Sequence, residues 1–152
     1  MKLPVRPAHP LSYCELPEGW EGTALDLLNL KDEPLDYILE DVLYPGFLED
    51  EVCHQFTLKC KERLMSRLAI LEYSTQPFMD EGEQECSYEE FLAGYTRDID
   101  AAILERNAQK AFWLAAGTFM DPDEESYYDF DTLEALVKDL KELISKHYEV
   151  SL

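Results

Sequence analysis

The stretch DTLEALVKDLKELISKHY, residues 131–148, decides the fold class. Leu133, Leu136, Val137, Leu140, Leu143 and Ile144 recur every three or four residues, with His147 or Tyr148 beyond them. That spacing is the buried stripe of an amphipathic helix. Glu134–Lys138 and Glu142–Lys146 fall on the outer face four residues apart, acid before base, the order that supports a helix. Asp131, followed three residues later by Glu134, marks its start.

The same period appears upstream. From about Glu49 to Tyr73, Val52 or Cys53, Phe56, Cys60, Leu64, Leu68 and Leu71 form a stripe, and Glu49, Asp50 and Glu51 lie where a helix dipole favours negative charge. Lys59, Lys61, Arg63 and Arg67 make this helix the basic surface of the chain, with part of that charge expected to neutralise acids inside the fold. Pro34 suits a first helical turn, Leu35, Ile38, Leu39 and Val42 continue it, and Pro45-Gly46 stops it after Tyr44. Thr23 caps a shorter turn carrying Leu25 and Leu28. Ser87-Tyr88-Glu89-Glu90 reads as a capping box. The helical spacing after it runs to Ala115, divided by a kink around Glu105 to Asn107 and closed by Gly117. Residues 74–86 read as a loop, with a brief extended piece near Glu72 to Met79.

At 152 residues the chain has the length of one domain. The expected architecture is all-α over residues 1–152: an irregular bundle of about five helices, with an extended arm over 1–22 packed on it. Pro4, Pro7, Pro10 and Pro17 keep that arm out of a long helix, and Leu11, Tyr13, Leu16 and Trp20 make it too apolar for a free tail. The same prolines interrupt any leader-like apolar run, and no stretch approaches a membrane span, so a soluble cytoplasmic protein is expected. Cys14, Cys53, Cys60 and Cys86 form no C-x-x-C pair. Cys53 and Cys60 share a helix face with Cα atoms about 10 Å apart, too far for a disulfide, so reduced thiols are expected.

Thirty-three Asp and Glu stand against thirteen Lys and Arg, a formal net charge of −20. A field of that sign repels nucleic acid and anionic lipid and attracts basic proteins, so neither direct nucleic-acid binding nor membrane binding is expected. The excess is gathered. Residues 121–134 hold seven acids and no base, and residues 15–51 hold twelve acids against Lys31 alone.

Catalytic and metal-binding patterns are sparse. Glu51-Val52-Cys53-His54 matches Glu-x-x-His once, where a carboxylate-bridged di-iron bundle needs it twice. The loop from Asp121 has Ser126 and Thr132 where a calcium loop needs Gly and a bidentate Glu. There is no G-x-S-x-G, phosphate loop or dinucleotide fingerprint. The expectation is a binding protein rather than an enzyme, with no metal and no cofactor.

Two places combine acid with geometry suited to a partner. Asp123, Glu124, Glu125 and Asp129 surround Tyr127 and Tyr128 in the acidic loop, and tyrosine is a frequent interface anchor. Glu33, Asp36 and Glu40, three and four apart, form a carboxylate ridge on one helix. In its acidity and adjacent tyrosines the chain resembles bacterial nuclease immunity proteins, a likeness of function with no motif to align. It implies an acidic module that occupies a basic protein, a toxin or a nucleic-acid-binding enzyme, and blocks it. The alternatives are a DNA mimic that inhibits a DNA-binding or phage-defence enzyme, and an acidic secretion chaperone or assembly subunit.

Overall fold

The computed structural model describes residues 22–31, 33–44, 46–75, 77–79, 82, 84–119 and 128–150. The arm expected over 1–22 lies outside them apart from Gly22. Six helices form among the described residues: α1 (Ala24–Leu28), α2 (Leu35–Val42), α3 (Asp50–Leu71), α4 (Tyr88–Leu104), α5 (Ala108–Ala116) and α6 (Phe130–Tyr148). The mostly helical architecture follows the apolar periodicity.

Helix α3 is the axis of the fold. α4, α5 and α6 pack on it, α4 also lies against α5, and α1 and α2 pair with each other and against α6. Its predicted stripe is the floor of the core: Val52, Phe56, Cys60, Leu64 and Leu68 are buried, whereas Cys53 and Leu71 reach only its margin. Leu136, Leu140 and Ile144 of α6, Ala111, Phe112 and Ala115 of α5, and Ile38 and Leu39 of α2 complete one continuous cluster.

The basic residues of α3 pair with acids of the fold, some at the surface and some partly buried. Lys61 pairs with Asp100 of α4 at 2.6 Å, and Arg63 makes a two-pronged contact with Asp139 of α6, both bonds at 3.0 Å. Arg67 lies 3.5 Å from Asp129, caps the Ala115 carbonyl and sits 4.2 Å above the Phe119 ring. Burial lowers the Arg67 pKa, against the pull of Asp129. Lys59 pairs within its own helix with Glu62.

Helix ends refine the sequence reading. The kink at 105–107 is a full break: Arg106 takes φ 55°, and Asn107 restarts the chain by accepting from the Lys110 amide. Only the serine half of the predicted Ser87 box forms, with Ser87 Oγ accepting from the Glu90 amide, while a reciprocal box forms at Thr23 and Asp26. α6 begins one residue before Asp131, with Asp129 at the cap and accepting from Thr132 Oγ1 at 2.6 Å.

Between α3 and α4 the expected loop contains a two-stranded antiparallel pair, β1 (Phe78–Met79) and β2 (Glu85–Cys86). The pair holds Phe78 against Phe91 and Tyr88, with ring centroids 4.9 and 5.6 Å apart. Gly117 ends α5 as read. A Cβ there would lie 2.6 Å from the Trp113 carbonyl oxygen, so only glycine lets the chain leave this close to the last turn. It then forms an isolated antiparallel bridge with Tyr128, and the next amide, Asp129 N–H, donates to Ala116 O at 2.7 Å.

Candidate functional site

That bridge fixes Tyr128, at the end of the acidic loop, to the end of α5. Tyr128 is held half-buried with its ring stacked on Phe112, centroids 6.0 Å apart and planes 18° apart. Burial, and then the charges of Glu40 and Asp36, push its pKa up to about 12. Tyr128 from the segment before α6 and the carboxylates of α2 therefore belong to one electrostatic neighbourhood.

Glu40 is its fixed point. Its Oε1 accepts a hydrogen bond from Trp113 Nε1 at 2.8 Å, and its main-chain carbonyl accepts one from Gln109 Nε2 at 2.9 Å. Both donors stand on α5, so α5 holds the last turn of α2 in place. Burial raises the Glu40 pKa, the Trp113 bond lowers it, and Asp36 and Asp41 raise it again. Asp36, one turn before Glu40, is half-buried and makes no ion pair among the described residues, and the same holds for Glu33 just before the helix.

Two aromatic side chains stay open beside these acids. Tyr37, on the same face of α2, is 43% exposed and Trp113 is 46% exposed. Rings of this size are usually hidden or serve as contact anchors. The composite surface thus carries Glu33, Asp36 and Glu40, with Tyr37, Trp113 and Tyr128 set among them.

The remaining predicted residues divide. Asp123, Glu124, Glu125 and Tyr127 lie outside the described residues. Asp129 is turned toward Arg67 and the α6 cap, so its carboxylate is already engaged within the fold. Tyr37 and Trp113 were missed in the sequence, yet a signal was there. Trp113 falls off the Ala108–Ala111–Phe112–Ala115 stripe, and Tyr37 falls off the stripe of α2, so both are large apolar residues on polar faces.

The lone Glu-x-x-His gathers no further ligands. Glu51 accepts from Gln55 Nε2 at 3.0 Å, and His54 Nδ1 is buried without a hydrogen bond. Among the described residues no group of three His, Cys, Asp or Glu is arranged to hold a metal ion, and no helix is long and apolar enough to cross a membrane. Burial pushes the Cys53 thiol up to about 11, with Asp50 adding to it, and raises Cys60 well above the usual thiol range. Neither is poised as a nucleophile. No protein-family model, curated protein or solved structure matches the chain.

Proposed function

We propose that this protein binds and blocks a basic protein, a nuclease-type toxin or another nucleic-acid-binding enzyme, through the surface formed by α2, Trp113 and Tyr128. The observation that carries the reading is the Glu40 carboxylate, fixed at 2.8 Å by an exposed tryptophan and one turn from Asp36, which makes no ion pair among the described residues. A carboxylate held in place loses little freedom on meeting a cation, and pre-organisation of this kind converts directly into affinity. The rings supply desolvated contact area, and the acids steer a cationic partner and pair with it at the rim. The resemblance in acidity and paired tyrosines to nuclease immunity proteins agrees with this.

Inhibition by DNA mimicry shares the acidic ridge. Mimicry needs a long row of anions, whereas α2 has eight residues, about 12 Å at ~1.5 Å per residue. Aromatic rings also interrupt the carboxylates. The blocking-module reading is therefore preferred.

The test is affinity capture from the host lysate at low salt with stepwise salt elution, using the natural protein and a D36K/E40K variant side by side. A basic protein retained by the natural chain, absent from the variant and released by salt is the expected result. Equal capture by both forms overturns the assignment of this surface. Displacement of the captured partner by duplex DNA in proportion to its affinity for DNA would mark mimicry instead.

A further inference from the structure

A second site lies away from the acidic face. A cleft of about 680 Å³ opens between α4, the end of α5 and the β1–β2 pair, a volume within the range of small-molecule sites. Its wall is aromatic: Phe91, Tyr95 and Phe119 touch one another, with centroid separations of 5.0, 5.9 and 5.0 Å around the triangle. Leu114 continues the apolar surface from α5.

Gly94 is the informative residue. It stands in the interior of α4, where glycine is the poorest helix former after proline. Its backbone does not have a positive φ, and a Cβ added to it would meet nothing within 4 Å. Neither turn geometry nor close packing explains it. What the missing side chain does is leave the floor of the cleft open.

Glu90, Gly94 and Asp98 are spaced four apart along α4 and all line the cleft, so the gap at Gly94 has a carboxylate one turn to either side. Asp98 is engaged by Arg97 at 3.2 Å. Glu90 makes no ion pair among the described residues. An apolar ring laid over Gly94 against Phe91 and Tyr95 would carry its substituent to Glu90. Arg97 also lines the cleft, but it is paired with Asp98, which leaves the Glu90 carboxylate as the charge the substituent meets, so that substituent is cationic.

We propose that this cleft is a binding site for a small aromatic amine, a flat apolar ring bearing one positive charge, distinct from the partner surface on α2. The test is a ¹H–¹⁵N titration of the full chain with tryptamine, indole and indole-3-acetate at millimolar concentration. Tryptamine should bind most tightly and the acetate least, with shifts centred on the amides of Phe91, Gly94 and Tyr95. Glu90→Gln, an exposed change, should weaken tryptamine about fivefold, the scale of one exposed ion pair, and leave indole unchanged. Gly94→Leu should abolish both while keeping the helical circular dichroism. No shift at Gly94 with tryptamine, or acetate binding as tightly as the amine, overturns the proposal. Retained tryptamine binding in a folded Gly94→Leu protein does the same.

Discussion

Glu40 is charged at a place where charge is disfavoured by the fold. Burial first, then Asp36 and Asp41, hold its pKa above the ordinary 4.5, with only the Trp113 bond opposing them. The folded state thus binds this proton more tightly than the unfolded chain does. Its stabilising contribution is complete below the unfolded pKa and disappears as pH rises through the folded one. At neutral pH an ionised Glu40 works against folding, the pattern expected of a group kept for binding. Glu40→Gln retains an acceptor for Trp113 and removes the charge. It should raise stability at pH 7 by roughly 0.5 kcal/mol, a figure kept small by solvent screening, and leave stability unchanged near pH 3. Thermal melts at the two pH values measure this, and a less stable variant at pH 7 would make the Glu40 charge structural. Arg63 is the contrasting case. Asp139, whose side chain is 11% exposed, depends on its two hydrogen bonds. The Arg63 pKa is raised, chiefly by that bonding and against the effect of burial. Arg63→Ala leaves a buried carboxylate unpaired and should cost about 1–3 kcal/mol, read as a lower chemical-denaturation midpoint at unchanged slope.

Among the elements, the two glycines of α4 and α5 make opposite predictions from one substitution. Gly94→Ala adds a methyl group to open space in a helix interior and should stabilise the protein by roughly 0.5–1 kcal/mol. Gly117→Ala drives a methyl group to 2.6 Å from the Trp113 carbonyl oxygen. It must shift the end of α5 or the Tyr128 bridge, at a cost of roughly 1–3 kcal/mol. Melting temperatures moving in the same direction for both would refute the account of these two positions. These elements also show how far the sequence could be read. The stripes of α3 and α6 were legible because each residue reports its own burial through local spacing, and Ser87, Asn107 and Gly117 lie at or beside helix ends. Of the β1–β2 pair only β1 was legible, within the extended piece near Glu72 to Met79, because two-residue strands carry no period; the pair packs Phe78 against Phe91 and Tyr88. Asp36 and Glu40 were visible as a face of α2, with Glu33 falling just before the helix and not on it, but the partner of Glu40 across the fold was not. Glu40 and Trp113 are 73 residues apart, and no local rule joins them. Tyr128 was marked by composition, while its seat on Phe112 depends on a bridge to Gly117 that only the three-dimensional fold supplies.

For the molecule as a whole, the decisive quantity is how charge of opposite sign is distributed. Lys61, Arg63 and Arg67 pair with Asp100, Asp139 and Asp129, the last two pairs partly buried and the first at the surface, so the bases serve cohesion between elements of the fold. Among the described residues the partly exposed carboxylates of Glu33 and Asp36 make no ion pair, in a chain whose net charge is −20, so unbalanced negative charge lies at this surface. Such a surface repels itself in the compact state and attracts a basic partner, and the two effects answer to salt with opposite signs. The Debye length falls from about 30 Å at 0.01 M to about 8 Å at 0.15 M, so interactions among exposed charges fade over that range, while the partly buried Arg63–Asp139 pair is screened much less. Added sodium chloride should therefore raise the thermal midpoint of the free protein and, over the same range, weaken capture of the proposed basic partner by tenfold or more, chiefly through slower association. A D36N/E40Q variant keeps an acceptor for Trp113 and relieves part of the repulsion in advance, so its midpoint should start higher and rise less with salt. Stability that falls as salt is added would mean that exposed ion pairs, not interior packing, hold the helices together. Affinity indifferent to salt would mean that the rings of Tyr37, Trp113 and Tyr128 carry recognition without the carboxylates beside them.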